Sequence, residues 1–434
     1  MKFFLAAFKD AVQKGFLKPY SLSYDYVDES KYELIQKQIG WKDNKIADTF
    51  QELRQRMGKK YFRNVLLSQI CALDYAALQF PSYGFMLPED LSDDWLAIVD
   101  FHKKYARDHS LHQPLTAYVV AQLLGYGESS KSLAIPAAPG NLLDFCVKTI
   151  LTEKNAQYIL EFASRYGLSK RLLVDCEMAR EFWKGFFYQT SVLSALFHDI
   201  GYPWQYVDRV GSALRKSVAT LYQSESIVNK IIEDFKDRMI LLPLRNYQLP
   251  HGNEPVFEKE YLFRLVSAAL ETHGFPGGIA FLTLNDAIRK SSETSPLAKM
   301  HSFAIEWAAM GVFMHDMEGL HTKSFPKLKV SFCQDPISSL VSLADYLEEF
   351  NRPKVQFKSK IKESRMKYGF DCSLVDVDVD SNGIMHVDME YRSNTNKVIA
   401  ASFKRKETED YFNPSSGYVD LMPLGIKQVV YNQK

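Results

Sequence analysis

The chain has 434 residues, with 53 basic and 52 acidic side chains, and 46% of its residues are hydrophobic. This apolar content can offset the entropy lost on folding, which excludes a disordered or low-complexity protein. The formal net charge of +1 gives no overall electrostatic attraction to nucleic acid or to an anionic membrane. The five cysteines are scattered and form no CxxC pair, which favours reduced thiols and a cytoplasmic location.

The N-terminus begins with a short apolar run. This run, residues 3–8, is interrupted by Lys9 and Asp10 and is shorter than the core of a usual signal peptide. We therefore predict an amphipathic first helix, and we interpret residues 1–90 as an N-terminal helical region packed on the core. Since the sequence has no run of about 18 consecutive apolar residues, we expect no membrane span.

Residues 91–353 carry the pattern of a helical domain, because apolar side chains recur every three to four residues. Residues 186–197 are apolar nearly all round, which is typical of a fully buried helix. Pro114 is tolerated only in the first turn of a helix, so the first helix of this domain should begin near residue 111. Helices are predicted at residues 115–124, 186–197, 260–270, 302–314 and 337–350.

After Pro353 the sequence changes to the two-residue period of β-strands. Val375, Val377 and Val379 alternate with aspartates, residues 380–383 have the composition of a turn, and a second alternating stretch follows. This pattern predicts a hairpin, with residues 398–403 as a candidate third strand. We therefore predict a mainly α protein with a small β-rich (α+β) C-terminal domain at residues 354–434.

One polar pair interrupts the most apolar stretch of the chain. His198 and Asp199 follow the buried helix directly, and Gly201 and Pro203 should end the helix there. Two desolvated polar groups cost several kcal/mol unless something compensates them. A divalent cation is such a compensator, because imidazole nitrogen and carboxylate oxygen are both good metal ligands.

Other histidines and one aspartate lie in comparable surroundings. His109 and His112 both precede an apolar helix. His273 is followed by a glycine, and His315 begins a second His-Asp dipeptide. Asp345 lies on the apolar side of its predicted helix, where an unpaired carboxylate would be costly.

The order and local sequences of these groups resemble the HD-domain superfamily of metal-dependent phosphohydrolases. Residues 195–201, Ala-Leu-Phe-His-Asp-Ile-Gly, are similar to the family motif A-L-[LF]-H-D-I-G. Residues 335–349 resemble the closing stretch D-P-[IL]…L-A-D-x-[LV]-[EQ]-E. The resemblance spans residues from about 100 to 352 and implies an HD-type helical bundle for this domain.

The resemblance also implies a centre with one or two divalent metal ions, at which His198 and Asp199 are the catalytic pair. The implied ligands of the first ion are His198, Asp199, Asp345 and either His112 or His109. Those of a second ion are His273 and His315, with Asp199 as the bridge. His112 fits the first family motif better than His109, which lies just outside the predicted helix. This nitrogen and oxygen set suits Mn, Fe, Co, Ni, Zn or Mg, and its many histidines favour the others over Mg.

The activity implied by the resemblance is hydrolysis of a phosphoester or phosphoanhydride in a nucleotide-like substrate. The metal ions would polarise the phosphoryl group and lower the pKa of a bound water. The alternative is a catalytically silent HD-domain regulator that binds a nucleotide and signals through its C-terminal domain. A regulator should have lost a ligand position, and because every family position is filled the sequence favours the enzyme. The net charge does not support a nucleic-acid partner, and a homo-oligomer is compatible with the sequence.

Overall fold

The computed structural model describes residues 1–4, 112–125, 131–201, 224–241, 256–270, 272–291, 296–316, 329–350, 372–391 and 397–434. These residues form an α+β architecture, in which a helical core is joined to a small mixed sheet. Within these ranges no helix has the length and apolar character needed to cross a membrane.

Ten α-helices lie in the described ranges. They are α1 His112–Leu124, α2 Leu142–Thr152, α3 Gln157–Arg165, α4 Glu177–Phe197, α5 Ser224–Phe235, α6 Val256–Ala269, α7 Gly274–Ser291, α8 Pro296–Met314, α9 Pro336–Leu347 and α10 Lys397–Phe412. The five helices predicted between residues 115 and 350 correspond to α1, α4, α6, α8 and α9. All five are confirmed as helices, and most ends agree to within four residues, but α4 begins nine residues and α8 six residues earlier than predicted.

Local sequence explains where α1 and α9 begin. Pro114 lies in the first turn of α1, as predicted. Proline has no backbone N–H, and the N–H groups of the first turn have no acceptor within the helix, so no hydrogen bond is lost there. Pro336 is the first residue of α9, and the preceding Asp335 accepts a hydrogen bond from the Ser338 N–H at 3.1 Å. These local signals fix the residue at which each helix begins. They therefore also fix where along each helix the residues of the site described below lie.

The long buried helix α4 forms the centre of the helical core, and α1, α8 and α9 pack against it. Trp183 and Phe186 of α4 contact Phe303 and Trp307 of α8, with ring centroids 5.4–6.2 Å apart. Nearer the helix ends, a Cβ added to Gly311 of α8 would lie 2.3 Å from the Oγ atom of a serine on α4. This close approach holds the C-terminal ends of α4 and α8 together.

The four-stranded sheet consists of β1 (Lys2–Phe4), β3 (Cys372–Val379), β4 (Ile384–Tyr391) and β6 (Gln428–Gln433). The strands lie side by side in the order β1-β3-β4-β6. β3 and β4 form the predicted antiparallel hairpin, with Val377 opposite Val387, and β6 lies parallel to β4. A separate parallel pair joins β2 (Val330–Ser331) to β5 (Val419–Asp420).

The prediction of a strand at residues 398–403 is wrong, because these residues belong to α10. Ala400, Lys404 and Thr408 are buried at a spacing of four residues, whereas Val398 is exposed. The buried face thus has the period of a helix and includes a lysine, which a pattern based on apolar residues alone did not count.

The prediction of a helix at the N-terminus is also wrong for residues 2–4, which form β1. The Val377 N–H donates a hydrogen bond to Met1 O, and Phe3 is fully buried. The physical reason is the edge of β3, whose backbone groups bond to these residues in antiparallel register. The remainder of the predicted N-terminal helical region, residues 5–90, lies outside the described residues.

The C-terminal elements contact the helical core directly. α10 packs against α9 through a 2.6 Å hydrogen bond between the Tyr346 hydroxyl and Thr408 Oγ1. β2, which comes just before α9 in the chain, pairs with β5 of the C-terminal region. The predicted domain boundaries near residues 90 and 353 both lie outside the described residues, so the division into domains stays a prediction.

Candidate metal centre

Five helices bring their ends to one cluster of histidine and aspartate side chains. The cluster consists of His112 at the start of α1, His198 and Asp199 directly after α4, His273 directly before α7, His315 directly after α8, and Asp345 in the last turn of α9. The structure therefore brings together six of the seven predicted site residues. The seventh, His109, lies outside the described residues.

Asp199 lies at the centre of this cluster, and its two carboxylate oxygens face different imidazoles. Its Oδ2 atom lies 3.4 Å from Nε2 of both His112 and His198. Its Oδ1 atom lies 3.1 Å from Nε2 of His273 and 3.5 Å from Nε2 of His315. We call the group around Oδ2, which includes Asp345, the first half-site, and the group around Oδ1 the second half-site.

Within each half-site the metal-binding atoms lie close together. In the first, Asp345 Oδ1 is 3.1 Å from His112 Nε2 and 3.7 Å from His198 Nε2, and the two Nε2 atoms are 3.1 Å apart. In the second, the Nε2 atoms of His273 and His315 are 3.0 Å apart. The imidazoles and Asp199 of each half-site offer ligand atoms that all lie within 4.8 Å of one another.

All four imidazoles turn Nε2 towards the cluster and use Nδ1 in a separate contact. The Nδ1 partners are Ala195 O for His198 at 2.6 Å, Val312 O for His315 at 2.6 Å, Glu348 Oε2 for His112 at 2.5 Å and Asp316 Oδ2 for His273 at 2.9 Å. Because a carbonyl or carboxylate oxygen accepts hydrogen bonds, each Nδ1 carries a proton. In the neutral form, each Nε2 therefore carries the lone pair with which the imidazole can bind a metal ion, the tautomer in which metal-binding histidines are usually held.

This arrangement fits a divalent ion in each half-site. Two neutral imidazoles with Nε2 lone pairs facing each other at 3.0 or 3.1 Å repel unless a positive charge lies beside them. Ligand atoms about 2.1 Å from one ion lie about 3.0 Å apart in octahedral geometry and about 3.4 Å apart in tetrahedral geometry. The nitrogen–nitrogen separations are near the first value, and several oxygen–nitrogen separations in the same half-sites, at 3.4–3.5 Å, are near the second, so the buried cluster could hold metal ions.

The charge of the cluster also favours cations. Burial by itself would raise the pKa of Asp199, but His198, His273 and His315 hold this pKa well below its usual range. Burial likewise opposes ionisation of Asp345, yet its contacts with the first half-site imidazoles hold its pKa well below the ordinary value. Both carboxylates are thus ionised in a largely buried space, where charges need close partners.

The pKa of the His273 imidazole also indicates that the cluster favours positive charge. Burial lowers its pKa, but Asp316 and Asp199 more than offset this effect and raise the pKa well above the ordinary value. The second half-site therefore favours a positive charge at this position. A proton can supply that charge, and a metal ion that binds Nε2 must displace the proton.

Glycines allow the two half-sites to approach each other. A Cβ added to Gly201 would lie 1.8 Å from His273 O and 2.6 Å from Gly277 N. A Cβ added to Gly274 would lie 2.6 Å from Phe313 O. The loop after Asp199 therefore touches the start of α7, and the start of α7 touches the end of α8, with no room for side chains between them.

Two carboxylates in this site were not predicted as functional residues. Glu348 contacts His112 Nδ1, and Asp316 contacts both Nδ1 and the backbone N–H of His273 at 2.9 Å. The sequence contained a partial signal, since Glu348 follows Asp345 by only three residues, and it forms the C-cap of the same helix. The contact partner of each carboxylate lies far away in the chain, however, and only the fold identifies it.

Comparison with protein-family models, with curated proteins and with solved structures gave no match to this chain. The HD-domain resemblance therefore depends on the residues quoted above and on the geometry of the cluster.

Proposed function

We propose that the protein is a metal-dependent phosphohydrolase of the HD-domain type. The observation that best supports this proposal is the position of Asp199, whose two oxygens lie between two pairs of imidazoles that turn Nε2 towards it. A carboxylate that joins two metal-binding groups suits hydrolases that use a pair of ions on one phosphoryl group.

In this proposal the first ion is held by His112, His198, Asp199 and Asp345, and the second by Asp199, His273 and His315. We take His112 rather than His109 as the first ligand because its Nε2 lies 3.1 Å from Asp345 Oδ1. When bound, the ions polarise the phosphoryl group and lower the pKa of a water molecule so that it can act as the nucleophile.

The other residues of the site keep the ligands in this arrangement. Glu348 and Asp316 hold the protons of His112 and His273 on Nδ1, so that Nε2 is the atom that each imidazole would offer to an ion. Backbone carbonyl oxygens do the same for the two imidazoles at the ends of α4 and α8. The ligands are therefore oriented before an ion arrives, which reduces the cost of binding it.

Exposure indicates the side from which a substrate approaches. The side chains of Asp345 and His273 are 21% and 14% exposed, whereas those of His112, His198 and His315 are at most 3% exposed. A phosphoryl group therefore reaches the site past Asp345 and His273, one from each half-site.

The substrate class follows from the HD-domain resemblance and is a nucleotide-like phosphoester or phosphoanhydride. The donor set of imidazoles and carboxylates favours Mn, Fe, Co, Ni or Zn over Mg. The four described cysteines are free, which is consistent with the proposed cytoplasmic location.

The test is metal analysis of the purified protein together with phosphate release from a panel of nucleoside monophosphates, nucleoside triphosphates and cyclic nucleotides. The informative variant is Asp199→Asn, which keeps the shape of the side chain but removes the charge that serves both half-sites. The matched control is Asp237→Asn, because Asp237 is exposed and lies outside the cluster. We expect bound metal and turnover in the wild type and in the control, and loss of both in Asp199→Asn.

Two outcomes would count against the proposal. A wild-type protein that binds no divalent ion under any loading condition would refute the metal centre itself. Stoichiometric metal without turnover on any phosphoester would instead favour the alternative, a nucleotide-binding regulator that signals through its C-terminal region.

A further inference from the structure

The last turn of α9 lies between the candidate metal centre and helix α10. Asp345 and Glu348, three residues apart, face the centre, where they contact His112 through Nε2 and Nδ1. Tyr346 and Glu349, also three residues apart, contact α10. Glu348 is the C-cap residue of α9 and Glu349 follows it, so the last helical turn together with its cap, residues 345–349, connects the two regions.

Lys404 of α10 makes the central contact with this turn. Its ammonium group donates hydrogen bonds to Tyr346 O, to Glu349 Oε1 at 3.3 Å and to Glu407 Oε2 at 2.8 Å. It also lies 3.9 Å from the centroid of the Tyr346 ring. Only 3% of the Lys404 side chain is exposed, so its charge depends on these partners.

Further hydrogen bonds hold Lys404 and the end of α9 in fixed positions relative to each other. Thr408 Oγ1 donates a hydrogen bond to Lys404 O at 2.6 Å and lies 2.6 Å from the Tyr346 hydroxyl. On the other side of the turn, Glu348 Oε1 accepts a hydrogen bond from the Phe350 N–H at 2.9 Å. Phe350 in turn forms a parallel bridge with Cys372 of β3.

A lysine in this place has a clear physical role. The last four carbonyl groups of a helix have no partners within the helix, and the C-terminal end of a helix attracts positive charge. Lys404 binds one of these carbonyl groups from outside, at Tyr346. The turn that carries Asp345 and Glu348 is thereby held closed where a helix would otherwise fray.

From these contacts we propose that α10 positions the first half-site and that Lys404 is the positioning residue. The inference rests on the proposed function, since it assumes that the first half-site binds a metal ion. Lys404 touches none of the proposed ligands. It acts through the turn that presents Asp345 to the ion and Glu348 to His112.

The test compares metal affinity in the two half-sites separately. A His273→Ala background keeps every proposed ligand of the first half-site, and a His112→Ala background keeps every proposed ligand of the second. In each background, Co²⁺ affinity is measured by calorimetry with and without Lys404→Met. Lys406→Met is the matched control, because Lys406 is exposed on the same helix.

We expect Lys404→Met to weaken Co²⁺ binding to the first half-site by about tenfold, the lower end of the range for losing a group that hydrogen-bonds a ligand, because Lys404 acts one contact further out. Binding to the second half-site should change by less than about threefold, and Lys406→Met should change neither. Equal losses in both half-sites would indicate general destabilisation and would overturn the inference. Unchanged affinity in the first half-site would overturn it as well, while leaving the metal centre intact. If the wild type binds no ion, the proposed function and this inference fall together.

Thr408→Val provides a second variant if Lys404→Met does not fold. It removes the hydroxyl group that lies beside Tyr346 and leaves the buried charge of Lys404 in place. We expect a smaller loss of Co²⁺ affinity that is again confined to the first half-site. If Thr408→Val leaves both half-sites unchanged when Lys404→Met cannot be measured, the inference is rejected.

Discussion

The two carboxylate oxygens of Glu348 accept different hydrogen bonds, and replacing Glu348 with glutamine removes one of these two acceptors. Oε2 accepts the proton of His112 Nδ1 at 2.5 Å, and Oε1 accepts the N–H of Phe350 at 2.9 Å. Glutamine has the same shape but only one oxygen, and its amide nitrogen can only donate. In the Glu348→Gln variant, either the His112 Nδ1–H or the Phe350 N–H therefore faces the amide nitrogen of glutamine, which is also a donor.

The two possible orientations of the amide have different costs. If the amide nitrogen faces His112, the imidazole loses the acceptor that holds its proton on Nδ1. Metal affinity in the first half-site should then fall by about 10–100-fold, or about 1.4–2.7 kcal/mol. If the amide nitrogen faces Phe350 instead, a buried backbone N–H loses its partner, and the free energy of unfolding should fall by about 1–3 kcal/mol.

Calorimetric titration with Co²⁺ in the His273→Ala background measures the first effect, and urea unfolding of the metal-free protein measures the second. Glu409→Gln, an exposed substitution on α10, is the control for both. At least one of the two quantities must fall in Glu348→Gln. A variant with wild-type affinity for Co²⁺ and wild-type stability would refute the assignment of both hydrogen bonds.

Two other substitutions test the packing around the site. Gly201→Ala places a Cβ 1.8 Å from His273 O, so we expect the variant to lose both metal affinity and more than about 3 kcal/mol of stability. Gly140→Ala, with nothing within 4 Å of the added Cβ, should cost only about 1–2 kcal/mol for its positive φ, and a similar loss in the two variants by urea unfolding would contradict this packing. Burial raises the pKa of Asp335 to about 6, so the folded state binds more protons than the unfolded state between about pH 4 and pH 6. Stability is therefore lost as the pH rises through this window, by about 3 kcal/mol in total. Asp335→Asn keeps an oxygen to cap α9 and should be more stable than the wild type at pH 7.5, with a smaller advantage at pH 4.5. An unfolding energy that has the same pH dependence in both proteins would rule this out.

Much of the helical core could be predicted from the sequence, because helical periodicity and helix ends depend on neighbouring residues. The apolar stretch before His198 predicted a buried helix, and the polar pair after it predicted the position of a site. The hairpin was equally accessible, since Val377 and its alternating neighbours define one buried face. The prediction failed at residues 2–4 because pairing with the edge of β3 decided for a strand, and at residues 398–403 because the buried face of α10 includes a lysine that the apolar pattern did not count.

The sequence by itself determined which groups stand at the helix ends, because side-chain chemistry and local periodicity are properties of short segments. Only the tertiary structure decided which of these groups meet. His112 and Glu348 are 236 positions apart, and His273 and Asp316 are 43 positions apart. Such pairings arise when whole helices pack, since close packing fixes the distance between atoms that no local pattern connects. The same reason explains why the role of Lys404 emerged only from the fold: its partners belong to another helix.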